Sequence, residues 1–186
     1  MILLMLIIMT KVINLIGAPG VGKSTLMAMI FVELKKRNYS CEMVHEWIKT
    51  LVWQNKLDII QNQHYIIQQQ YENIKCLDNK VDYIILDTSL VNYMYYNRTD
   101  SGNICNIEKT ESFAKNLMAE FDNIFIFVKR NHNNYYETKG RLHTSEQSEQ
   151  IEYDLESLIK ELNLNIVTFN SSSDDNKVKE LIKNFL

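Results

Sequence analysis

One proline, five glycines and three cysteines are spread over 186 residues. Each scarcity excludes something. Cys41, Cys76 and Cys105 are odd in number and far apart, so neither a disulfide framework nor a zinc knuckle is expected. They read as free thiols in a reducing compartment, and none is placed for catalysis. The only arginines are Arg37, Arg98, Arg130 and Arg141, and the net charge is -3, so no global basic field drives non-specific nucleic-acid binding. Low Gly and Pro content excludes collagenous and low-complexity chains, and 46% hydrophobic with 23% charged residues is ordinary globular usage. The length suits one domain. Residues 1–9 are apolar, but they lack the charged n-region and cleavage site of a signal peptide. They also fall short of the roughly 20 apolar residues of a membrane span. They read as an extension over 1–10, from a start-site variant or a lengthened first strand, ahead of a single domain at 11–186. A cytoplasmic protein is expected, in the host cytoplasm if the source is viral.

What the chain does have is a rhythm of strands and helices. Apolar runs at 12–16, 81–86 and 123–128 predict buried strands, with shorter ones at 42–45 and 165–169. Helical spacing appears at 23–37, 57–77, 107–120, 146–162 and 174–186, the last with Asp174 as N-cap. The stretches 96–106 and 131–145 read as irregular. Continuous apolar strands alternating with helices predict an α/β three-layer sandwich of about five parallel strands with helices on both faces.

The scarce residues cluster. Gly17, Gly20, Gly22 and Pro19 fall within six positions, in Gly17-Ala18-Pro19-Gly20-Val21-Gly22-Lys23-Ser24. This fits the phosphate-loop pattern G-x-x-x-x-G-K-[ST], with a strand before it and an amphipathic helix after it. Backbone N–H groups converge on a phosphate only where glycine dihedrals and bare backbone allow it. The helix adds its positive N-terminus. In this role Lys23 reaches the β- and γ-phosphates, Ser24 ligates Mg²⁺ and Thr25 contacts the α-phosphate. Asp87 closes the strand at 81–86 and is the expected second metal residue; the alternative is a turn or helix-cap Asp, which Thr88-Ser89 would also suit.

Three further features point to phosphoryl transfer. Glu46, after the second strand, stands where ligands bind in a doubly wound sheet and is a candidate to orient or deprotonate an acceptor hydroxyl. Trp47 beside it is a candidate to stack on a planar ring. The segment 131–145 holds Lys139, Gly140 and Arg141 directly after Arg130, which suits a cationic lid closing on phosphates. On the helix at 57–77, Gln68 and Gln69 are candidates to read an amide or base edge. The ordinary alternatives are a surface Glu, core aromatics, a solvated loop and a solvated glutamine face.

Taken in order, GAPGVGKST, Glu46-Trp47, the Gln-rich helix, Asp87-Thr88, Lys129-Arg130 and Tyr136…Gly140-Arg141 resemble the ribosylnicotinamide-kinase domain of NadR-type proteins. They resemble equally the small P-loop kinases and AAA-type ATPases common in phage genomes. The resemblance runs from about Lys11 to Leu186. It implies a P-loop NTPase fold of nucleoside-kinase type with a mobile lid. It also implies ATP and Mg²⁺ as cofactors and a nucleoside- or nucleotide-type acceptor. Alternatives within it are a phage kinase acting on 5-hydroxymethylpyrimidine bases in DNA, and an ATPase or regulatory NTP-binding module with no acceptor. One departure is visible: deoxynucleoside kinases tend to place an Arg after the acidic residue of the third strand, and here Thr88-Ser89 follows Asp87. No oligomeric state follows from the sequence.

Overall fold

The computed structural model describes residues 9–131 and 142–186. In chain order the elements are β1 (Lys11–Ile16), α1 (Lys23–Lys36), β2 (Cys41–Val44), α2 (Trp47–Trp53), α3 (Leu57–Ile60), α4 (Gln63–Lys75) and β3 (Tyr83–Leu86). There follow α5 (Leu90–Thr99), α6 (Ile107–Met118), β4 (Asp122–Lys129), α7 (Ser145–Glu161), β5 (Ile166–Asn170) and α8 (Asp175–Lys183). The five strands form one sheet in the order β2-β3-β1-β4-β5, with every pairing parallel. Among the described residues no helix is long and apolar enough to cross a membrane.

Burial on both faces explains why the strands are unbroken apolar runs. Val12, Ile84 and Leu86 pack on one side with Val44 and Ile74 of α4. Ile13 and Ile85 join the larger cluster, which contains Leu26, Met27, Ile30 and Leu34 of α1. Asn14, mid-strand and 2% exposed, is the polar exception. Its amide donates to the Val12 carbonyl and to Asn123 Oδ1, both at 2.9 Å, and its oxygen accepts from Ser89 Oγ at 3.2 Å. A buried amide with its bonds made carries no large penalty.

Asparagine stands in where glycine is scarce. Asn38, Asn55 and Asn163 take φ of 64°, 56° and 51°, each one residue past the C-cap of α1, α2 or α7. In each case the next N–H closes back on a carbonyl five residues earlier: Tyr39 on Leu34 at 3.1 Å, Lys56 on Leu51 at 2.9 Å, and Leu164 on Ile159 at 3.3 Å. This is the Schellman closure that left-handed Gly usually provides, and Asn is the side chain that tolerates it best.

Four expectations are corrected. The helix expected at 57–77 is two helices, because Asn62 caps α4 by accepting from the Tyr65 N–H at 3.0 Å. The helix α2 was not expected; it fills seven residues of what read as a connection. The helix α5 was also missed, and its end occupies the start of the stretch read as irregular. Its residues from Leu90 to Tyr95 are all buried, so it shows no amphipathic period to read. Thr10, assigned to the N-terminal extension, is tied into the fold: its hydroxyl donates to the Val81 carbonyl at 2.6 Å and accepts from the Asn79 N–H at 2.8 Å.

Candidate functional site

The sheet ends at its carboxyl edge in three adjacent turns. The turn from β1 to α1 is residues 17–22. Gly17 runs so close to β4 that a Cβ would sit 2.7 Å from the Val128 carbonyl oxygen. Gly22 has φ 98°, and a Cβ there would sit 2.6 Å from Ser171 Oγ. Only glycine fits either position, so the string reflects sterics in this fold. The Lys23 ammonium curls back over the loop and donates to the Gly17 and Ala18 carbonyls at 2.8 and 2.9 Å. Asn92 of α5 braces the loop from behind, donating to the Gly17 carbonyl at 2.8 Å.

The next turn, after β3, carries Asp87. Strand order puts β3 beside β1, and Ser24 Oγ donates to Asp87 Oδ2 at 2.8 Å. The helix-cap role belongs instead to Ser89, whose hydroxyl accepts from the Val91 N–H. Asp87 is therefore free of capping and engaged with the phosphate loop.

The third turn follows β2, the neighbour of β3, and carries Glu46 at the start of α2. Burial pushes its carboxyl above the ordinary range. Lys23 across the cleft pulls it down, Asp87 pushes it up, and Lys49 and the Thr88 hydroxyl oppose the rise. Lys23, Asp87 and Glu46 thus share one cleft, although they come from three separate stretches of the sequence.

The opposite wall comes from β4 and α7. Arg130 follows β4 directly. Its guanidinium donates to the Pro19 carbonyl at 3.3 Å and to Ser148 Oγ, while Ser148 Oγ donates to the same carbonyl at 2.5 Å. The Arg130 backbone N–H is held by Glu152 at 2.9 Å. Arg130 is thus built onto the phosphate loop. Arg98 is not at the site; it pairs with Glu111 and Glu161 between α5, α6 and α7. Tyr136, Lys139, Gly140 and Arg141 lie outside the described residues. At the far end of the lid segment, His143 stacks on Tyr96 (centroids 5.8 Å apart, planes at 27°) and lines the cavity. Burial lowers its pKa. Ser145 of that segment already belongs to α7, which Thr144 and Gln147 cap reciprocally.

These walls enclose a cavity of about 910 Å³, reaching from Lys23 and Ser24 past Glu46 to Gln63 of α4 and Trp53 of α2. Its far half corrects two expectations. Gln68 and Gln69 are not in it; both bond Glu72 on the outer face of α4, at 3.0 and 3.1 Å. The inward face is Gln63, Ile66, Ile67, Gln70 and Ile74, spaced i, i+3, i+4, i+7, i+11. The register of the isoleucines marks that face in the sequence and would have selected Gln63 and Gln70. Trp47 packs edge-on against Tyr65, with centroids 5.6 Å apart, and does not line the cavity; Trp53, at the other end of α2, does. Tyr93 is fully buried behind the cavity, its hydroxyl 3.5 Å from Gln70 Oε1. Burial holds that phenol well above its ordinary pKa, with Glu46 and Asp87 adding to the effect.

The residues fit a nucleotide with a divalent cation. The glycine loop leaves room for a phosphate, and Lys23 is already at the loop. The Ser24–Asp87 pair is one hydroxyl and one carboxylate. Among the described residues no group of three or more His, Cys, Asp or Glu is placed to hold a metal. A cation at Ser24 and Asp87 would complete its shell with phosphate oxygens and water, as Mg²⁺ does in phosphate sites.

Comparison with solved structures finds the same fold in proteins of low sequence identity. A deoxyadenosine kinase from M. mycoides, solved with bound dCTP, is 23% identical over 93% of this chain and 97% of its own, with a TM-score of 0.55. The YorR protein of Bacillus subtilis, solved with phosphorylated GDP, is 15% identical over 94% and 95%, with a TM-score of 0.59. NadR protein, solved with NAD and AMP-PNP, is 14% identical over 94% of this chain, which spans 48% of that one, with a TM-score of 0.63. No curated protein matches the sequence. The model of the AAA domain family matches residues 12–176, so the loop, the Asp87 strand end and the wall that carries Arg130 all lie within one family match, and the chain belongs to that P-loop family.

Proposed function

We propose that this chain is an ATP-dependent kinase that passes the γ-phosphoryl group to a hydroxyl of a nucleoside- or nucleotide-type acceptor. The observation that carries the reading is the cavity beyond the phosphate loop. Hydrolysis needs room only for a water, whereas this cavity of about 910 Å³ takes in the phosphate loop at one end and runs on past Glu46 to Gln63 and Trp53, which leaves space beside the donor phosphates for a second organic ligand. The kinase fold of the neighbours supports the same reading.

In the proposed mechanism the loop N–H groups and Lys23 hold the β- and γ-phosphates; Lys23 exchanges the Gly17 and Ala18 carbonyls for phosphate oxygens. Ser24 and Asp87 hold Mg²⁺, which when bound neutralises phosphate charge. Glu46 accepts the acceptor's hydroxyl proton as its oxygen bonds to the γ-phosphorus and the bond to the β-phosphate oxygen breaks, releasing ADP. A raised carboxyl pKa suits a base that works near neutrality. Arg130 steadies the loop from the Pro19 side. Arg141 is assigned to close on the transferring group and exclude water.

The test is transfer of labelled γ-phosphate from ATP to nucleosides, nucleoside monophosphates, nicotinamide riboside and DNA with and without hydroxymethylated bases. Label on one acceptor class is the expected result. Phosphate released only to water, at a rate no member of the panel changes, would sink the proposal and leave an ATPase.

A further inference from the structure

The cavity changes character along its length. Beside the phosphate loop its lining is polar, with Lys23, Ser24, Glu46 and Asp87. Where α2 and α3 form the wall it is mainly apolar: Ile48, Val52, Trp53 and Ile60 line it, with Lys49 the one charged residue from those helices. Ile48 and Ile60 are buried, whereas Trp53 is 65% exposed. A single exposed aromatic on a protein surface needs no explanation. This one borders the cavity that also holds Glu46, and its indole offers a wide apolar face to whatever enters.

The fold fixes where Trp53 stands. It is the last residue of α2, and the chain closes directly behind it: Asn55 takes φ 56° and the Lys56 N–H returns to the Leu51 carbonyl at 2.9 Å. Leu51, 3% exposed, anchors the same turn in the core. The indole is therefore carried on a helix end, which places it more precisely than a loop would. Glu46 is the N-cap of that helix. Seven positions separate Glu46 from Trp53, about 10 Å along the axis at 1.5 Å per residue. A molecule whose hydroxyl is set at Glu46 has the span of α2 in which to extend before it meets the indole.

We propose that Trp53 is the stacking platform for the planar ring of the acceptor. A sugar at Glu46 and a base on the indole match the run of the wall from polar to apolar. Stacking needs only a π face, so Trp53 favours a nucleoside over a bare sugar or polyol and does not by itself choose among the bases. The other tryptophan does not serve: Trp47 is edge-on to Tyr65, with centroids 5.6 Å apart, and does not line the cavity. This rests on the kinase reading, and it assigns the residue that recognises the acceptor.

The chain has two tryptophans, so its emission can be assigned by single substitutions. The test titrates wild type, Trp53→Phe and Trp47→Phe with adenosine, guanosine, cytidine, uridine and ribose, without donor nucleotide, and reads tryptophan emission. Calorimetry measures the same affinities and adds Trp53→Ala. At least one nucleoside should change the emission of wild type and of Trp47→Phe but not of Trp53→Phe, while ribose changes none. Trp53→Ala should bind that nucleoside about 10–100-fold more weakly than wild type, the range for one base stacked on one aromatic ring, and Trp53→Phe, which keeps a ring, should fall between. Wild-type affinity in Trp53→Ala overturns the inference. So do an emission change that survives in Trp53→Phe, a wild type that binds no nucleoside, and a change produced by ADP but by no nucleoside, which gives the indole to the donor base. The failures are distinguishable. Transfer to a nucleoside with unaltered KM in Trp53→Ala refutes this inference alone, whereas phosphate going only to water refutes the kinase reading and with it the acceptor role of Trp53.

Discussion

Replacing Glu46 by Gln keeps the shape and removes the base. The other carboxylate beside the phosphate loop is Asp87, and it already accepts from Ser24 at 2.8 Å, so among the described residues there it is not placed to take the acceptor's proton instead. The full contribution of general-base catalysis should therefore be lost, at least about 100-fold in turnover, or about 2.7 kcal/mol of barrier. The pH dependence carries the same signature. Burial raises the Glu46 pKa above 4.5, and the base form is the ionised one. Wild-type kcat/KM should fall on the acid side with a limb above 4.5, and Glu46→Gln should abolish that limb. Stability should move the other way. A group whose folded pKa is raised favours folding fully only below its unfolded value, and that advantage is lost as pH rises through the folded pKa. Gln needs no ionisation, so the stability of Glu46→Gln relative to wild type should rise from about pH 4.5 upward and level off above the folded pKa. Steady-state transfer from about pH 5 to about pH 9, with thermal unfolding of both proteins across the same range, measures all three. Near-normal turnover in Glu46→Gln, or an acid limb it does not move, would refute the base assignment.

Lys23→Ala should abolish measurable transfer and weaken ATP binding in a titration; transfer near the wild-type rate would refute its phosphate role. Gly22→Ala should cost about 1–2 kcal/mol of stability in denaturant unfolding, since φ 98° is forced on an L side chain, and nucleotide binding should suffer with it. Asn163→Ala should cost about 1 kcal/mol, whereas Asn163→Gly should be neutral or stabilising; equal losses would show that the left-handed conformation at φ 51° is not what Asn supplies.

The legibility of the fold followed burial. The strands at 12–16 and 123–128 were readable because both faces are covered and the run is unbroken. The helix α5 was not, for the same reason: a segment buried on nearly all sides has no period. The split between α3 and α4 turned on a capping bond at Asn62, which hydrophobic periodicity does not report, whereas the glutamines that face inward follow the isoleucine register. Trp47 and Trp53 both belong to α2, and which of them faces the cavity depends on how that short helix packs, with Trp47 taken up by Tyr65.

The phosphate loop was legible in the sequence because its pattern fills eight consecutive residues with a helix after them, although the close approaches that exclude a Cβ at Gly17 and Gly22 come from Val128 and Ser171. The meeting of Lys23, Asp87 and Glu46 was decided by the sheet. Their turns are distant in sequence and adjacent in space only because β3 inserts between β2 and β1. The direction of the Asn92 amide was likewise tertiary, since it is set by the Gly17 carbonyl, 75 residues away in the chain.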